Sequence, residues 1–179
     1  EKYYSKIPRQ PETQRTRAKE PPQQAERRVT LRDNRVRQPT WQRTYLAPGL
    51  QSGNKAHTYP LEVLSNIIGS GTSSRLYRSL VIKQKLAISA GVYYSGDSRG
   101  PSRFIVFASP MPGVSIEKLE TAVEAEIALL MKSGVTMDEL NRAKSRMESE
   151  AIYARDSLSG GARVIGSALA AGLSIDDVE

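Results

Sequence analysis

From Glu26 onward the apolar residues of this chain never settle into strand–helix–strand–helix alternation, and that order excludes a doubly wound parallel sheet. Residues 27–32 and 40–46 alternate polar with apolar or β-branched side chains, as half-buried strands do. Pro48-Gly49 ends the second run. Leu61, Val63, Leu64, Ile67 and Ile68 then recur at helical spacing over residues 59–68, with Pro60 in the tolerated first turn. A Gly-rich turn, Gly69-Ser-Gly-Thr-Ser-Ser74, interrupts this helix, which resumes over residues 75–85 on Leu76, Leu80 and Val81. Two strands, residues 87–94 and 103–109, flank a turn-rich connection and read as a hairpin.

Three helices complete the pattern. The first has Ser115 as N-cap, a stripe of Ile116, Leu119, Val123, Ile127 and Leu130, and Gly134 as its stop. Thr136-Met-Asp-Glu139 is a capping box opening the second, whose stripe runs through Leu140, Ala143, Met147, Ala151 and Ala154. The third, residues 158–173, is rich in Ala and Gly and is expected to pack closely on a neighbour. Strands grouped apart from helices give the expected class: α+β, a largely antiparallel β-sheet covered by helices.

The N-terminus reads differently. Residues 1–7 resemble the tail of a preceding domain, residues 8–25 an interdomain linker rich in Pro, Gln, Arg and Glu, and residues 26–179 the α+β domain. Residues 1–38 hold 11 Lys and Arg against 5 Asp and Glu, whereas the remainder holds 15 against 14. The net charge of +7 therefore belongs to the extended segment, and the folded body is close to neutral. A basic nucleic-acid surface is not expected, because no aromatic-interleaved stripe follows. No apolar run is long enough to span a membrane. Ser174-Ile-Asp-Asp177 has the form of a helix start, so the domain is expected to be truncated at its C-terminus.

Catalytic chemistry is sparse. There is one histidine, His57, and no cysteine, whereas zinc sites draw on several such ligands. No H-x-x-E-H, H-E-x-x-H or G-x-S-x-G motif occurs. Glu124, Glu126, Glu148 and Glu150 fall on polar helix faces. The Gly-rich turn lacks a P-loop lysine and follows a helix rather than a strand, so a tight turn is preferred to a phosphate cradle. The expectation is no catalytic residue, no metal ligand and no cofactor in this chain.

The stretch Leu61-Glu-Val-Leu-Ser-Asn-Ile-Ile-Gly-Ser-Gly-Thr-Ser-Ser-Arg-Leu-Tyr77, continuing to Leu86-Ala87, resembles the pitrilysin/insulinase family of zinc metallopeptidases. The later Val135-Thr-Met-Asp-Glu-Leu-Asn-Arg-Ala-Lys144, the opening Glu26-Arg-Arg-Val-Thr-Leu31 and Arg43-Thr-Tyr45 are similar to the same family. The resemblance, over residues 26–179, is to its metal-free second domain, of the mitochondrial processing peptidase-like fold. It implies a non-catalytic part of a zinc endopeptidase that lines a peptide chamber and an inter-domain or subunit interface. Zinc is then expected in an N-terminal domain of the parent protein.

In many members the metal-free domain supplies an Arg and, seven residues on, a Tyr that hold substrate. Those positions fall on Val81 and Ile88 here, so that role is not carried over. The resemblance thus implies a zinc-bearing N-terminal domain and a homologous partner subunit carrying the Arg/Tyr pair, as in bacterial heterodimers. For contact with a peptide substrate the candidates are Gly69, Ser70, Gly71, Ser73, Ser74 and Arg75, with the strand over residues 87–94. The alternative is a non-proteolytic assembly subunit, like the core proteins of respiratory complex III. The compartment is left open, bacterial periplasm and cytoplasm both being compatible.

Overall fold

The computed structural model describes residues 5–8, 21–157 and 159–176. It divides into two units, Glu1–Arg35 and Val36–Glu179.

In the first unit the described residues form no strand. The strand expected over residues 27–32 is therefore corrected: Val29 and Leu31 are 91% and 81% exposed. Alternation marks a strand only where a ladder partner takes up the backbone N–H and C=O groups, and no such pairing forms here. Within the unit, the Arg35 backbone N–H and guanidinium both donate to the Asp33 carboxylate at 2.8–2.9 Å.

The second unit is built on three antiparallel strands: β1 (Trp41–Ala47), β2 (Ala87–Tyr94) and β3 (Ser102–Pro110). The sheet order is β1-β3-β2, with β3 central. Trp41 stands opposite Ala108 and Val92 opposite Val106, and a register shift lies between Ala87 and Ser89. Successive strand residues point to opposite faces. Trp41, Ala90, Val106 and Ala108 therefore face the core with Leu119 and Val123. Leu46, Tyr93, Ile105 and Phe107 fall on the other face, where Leu46 and Tyr93 remain 57% and 58% exposed. The structure is α+β with helices over a fully antiparallel sheet.

The helices follow their caps. Helix α1 spans Thr58–Gly69. Helix α2 (Ile116–Ser133) opens with the Ser115 hydroxyl accepting from the Lys118 N–H and stops at Gly134, whose φ is +67°. Helix α3 (Met137–Arg155) opens with the complete Thr136/Glu139 capping box. Helix α4 spans Gly160–Ala171.

Two expectations change. The stripe on α3 is buried at Ala143, but Ala151 and Ala154 are exposed. Helix α4 buries only Ala168, so its close packing on a neighbour is not found among the described residues. The expected helix start at residues 174–177 extends outside the described residues.

The segment after the Gly-rich turn also differs. Instead of an α-helix over residues 75–85, Tyr77–Lys83 winds as a π-helix, with the Gln84 N–H donating to the Ser79 carbonyl at 2.8 Å. Apolar positions Leu76 and Leu80 are buried as expected. The apolar stripe does not distinguish the two windings, because both accept the same i, i+4 pair, and the segment packs against β2 and α2.

Candidate functional site

The six single-residue candidates make the turn that runs from the last residue of α1 to just before the π-helix, and the candidate strand over residues 87–94 is β2, against which this turn packs. Gly69 ends α1 against the β2 backbone: a Cβ there would sit 2.0 Å from the Val92 amide nitrogen. Its carbonyl faces Gly91, which itself lies beneath the Phe107 ring. The glycine lets helix and strand backbones touch. The turn thus packs a helix on a strand. Ser70 caps α1 by donating its N–H to the Asn66 carbonyl. Gly71 has φ +75°, a conformation few other residues adopt.

The second half of the turn points inward. Ser74 is buried and its hydroxyl donates to the Gly71 carbonyl at 2.8 Å. Arg75 donates two parallel bonds to Glu139, at 2.6 and 2.7 Å, and a third to the Gly134 carbonyl at 2.8 Å. This planar, bidentate pairing is the strong form of an ion pair. Arg75, with help from the Thr136 N–H and hydroxyl, holds the Glu139 carboxyl at about 2 against its ordinary 4.5. The turn is thereby tied to the α2–α3 connection. Of the six candidates, Ser74 and Arg75 are engaged internally, while Gly71 and Ser73 are exposed.

Beside this turn lies a cleft of about 410 Å³. The α1 terminus, the turn, the π-helix, α2 and α3 all contribute to it, through residues such as Asn66, Ser73, Arg78, Lys83, Glu126 and Arg142. Arg146 from α3 donates to the Asn66 carbonyl at 2.8 Å and lies 3.4 Å from the Ser73 hydroxyl. Glu126 accepts from the Ser79 hydroxyl at 2.5 Å. Sequence reasoning missed Arg78, Lys83, Arg142 and Arg146. No motif joins them, since they converge only after α3 folds back on α1.

The positions at which an Arg and a Tyr were sought hold Val81, half-buried against the core, and Ile88, exposed on β2. The donor set does not fit a zinc ion. His57 is exposed, and among the described residues no three His, Cys, Asp or Glu side chains group together. No described helix is long and apolar enough to cross a membrane.

Comparison with known proteins agrees with this architecture. Residues 1–147 match the family model described as the peptidase M16 inactive domain. The uncharacterized zinc protease YmxG of Bacillus subtilis is 28% identical over 109 residues, covering 61% of this chain and 26% of that protein. The structure of a protease from Helicobacter pylori superposes with a TM-score of 0.70 at 26% identity, covering 78% of this chain and 33% of that one. An inactive peptidase domain from Bordetella parapertussis superposes with a TM-score of 0.66 at 23% identity, covering 81% of this chain and 76% of that one. The chain thus spans about a quarter of the YmxG length and a third of the Helicobacter protease.

Proposed function

Because this chain belongs to the peptidase M16 inactive-domain family, we propose that it is the supporting domain of a zinc-dependent endopeptidase, walling a peptide chamber without doing the chemistry. The observation that carries the reading is the bare sheet face. Leu46, Tyr93, Ile105 and Phe107 form a largely apolar surface, with exposed Arg103 opposite Leu46 on the same face and the end of α1 reaching it at Gly91, whereas the opposite face is packed with core. An extended peptide is well served by such a surface, which offers apolar contact with a cation, Arg103, beside Leu46.

In this reading the zinc-bearing domain precedes the present one in the parent protein, and the metal supplies a polarised carbonyl and an activated water there. Residues of this chain contribute wall and interface. The turn holding Gly69, Ser70, Gly71, Ser73, Ser74 and Arg75 fixes the β2 edge against α1, with Gly71 and Ser73 its outward-facing members. Val81 and Ile88 leave the cationic and phenolic substrate contacts to a homologous partner subunit.

The test is hydrolysis of a broad fluorogenic peptide set with added zinc. It compares this chain, the longer parent protein, and the parent mixed with a homologous subunit. The expected result is an inert chain and an active longer assembly. Zinc-dependent cleavage by the chain alone would refute the reading, and silence in every mixture would favour the non-proteolytic assembly role.

A further inference from the structure

We propose that the cleft between the π-helix and α3 is a binding site for peptide carboxylates, with Arg78 and Lys83 as its anion-binding pair. The inference does not depend on the peptidase reading, because it rests on charge and winding alone.

The winding comes first. In an α-helix, residues five apart are separated by roughly 140° around the axis, so Arg78 and Lys83 would diverge. A π-turn closes on i→i+5 bonds and stacks residues five apart. Ser79 and Gln84, offset by the same interval, show this directly: the Gln84 backbone N–H donates to the Ser79 carbonyl and its side-chain amide donates to the Ser79 hydroxyl, both at 2.8 Å. Arg78 and Lys83 accordingly both line the cleft. Local π-winding of this kind is frequently found at functional sites.

The charge comes second. Five cations and two carboxylates line the cleft. Both carboxylates are engaged: Glu139 by Arg75, and Glu126 by the Ser79 hydroxyl and, at 3.4 Å, the Gln84 amide. Arg142 pairs with Asp138, and Arg146 is held by Asn66 with Glu150 3.9 Å away. Arg78 and Lys83 make no ion pair among the described residues, and both are exposed at the cleft. The Ser73 hydroxyl stands at the same rim.

The ligand class follows from what else the walls hold. No aromatic side chain lines the cleft, so a nucleotide base has nothing to stack on. Glu126 and Glu139 in the walls disfavour a phosphate dianion more than a singly charged carboxylate. A cleft of this volume accommodates one or two acidic residues of an extended peptide.

The test is NMR titration of the full 179-residue chain with acetyl-(Glu)4-amide, with acetyl-(Ala)4 bearing a free C-terminal carboxylate, and with inorganic phosphate. Amide shifts of Ser73, Arg78, Ser79 and Lys83 are expected to move with at least one peptide. Movement with the first assigns side-chain carboxylates, and movement with the second alone assigns a chain terminus. The double variant R78A/K83A should bind at least about tenfold more weakly, the loss of one charge-assisted contact. K144A, on the outer face of α3, should bind as the parent does, and circular dichroism checks that both variants are folded. Absence of movement with either peptide, undiminished affinity in R78A/K83A, or tighter binding of phosphate than of both peptides would overturn the assignment.

Discussion

Replacing Glu139 with Gln isolates the charge of the Arg75–Glu139 pair, since Gln still completes the capping box with Thr136. A carboxyl held at about 2 against an ordinary 4.5 corresponds to roughly 3 kcal/mol of preference for the ionised form in the folded state. Both side chains keep about a fifth of their surface in water, and solvent screening reduces the expected loss in E139Q to about 2 kcal/mol. The sign follows from the depressed value. The contribution is complete above the unfolded-state pKa near 4.5, and it disappears as pH falls through about 2. Urea unfolding of the parent and E139Q at pH 7, 4 and 3 reads this directly, as a gap that is widest at pH 7 and narrows with acidification. In a double-mutant cycle with R75A, the coupling at pH 7 should be at least about 1 kcal/mol. A loss below about 0.5 kcal/mol at pH 7, or an equal loss at pH 7 and pH 3, would refute the idea that this pair ties the turn to α3.

Three further substitutions test the packing. G69A should destabilise the domain by about 3 kcal/mol in urea unfolding, because its Cβ would meet the Val92 backbone at 2.0 Å. G100A, in the hairpin loop with nothing within 4 Å of its Cβ, should stay within about 0.5 kcal/mol of the parent. L119A, which empties a fully buried position beneath the sheet, should cost about 3 kcal/mol by the same assay.

Several parts of the fold were legible in the residues because their causes are local. Ser115 and Thr136 cap the next turn of their own helices, and Gly134 stops α2 through its own φ. The hairpin over β2 and β3 follows from two β-rich runs around a loop of Gly, Ser, Asp and Pro. The candidate turn was also found, through its glycines and its resemblance to a known family. Its partners were not. Arg75 and Glu139 lie 64 residues apart, and no periodicity connects them.

What the sequence determined by itself is therefore the set of elements whose hydrogen bonds close within a few residues. Tertiary structure decided whatever needs a distant surface. Residues 27–32 alternate as a strand would, yet form none, because a strand exists only through a neighbour. The stretch around Tyr77–Lys83 carries an ordinary helical stripe, yet winds as a π-helix where it meets β2 and α2. Gly69 is read as a turn residue until Val92 lies against it. The cationic cleft gathers side chains from α1, the π-helix, α2 and α3, and burial and charge placed across four elements leave no local trace in a chain.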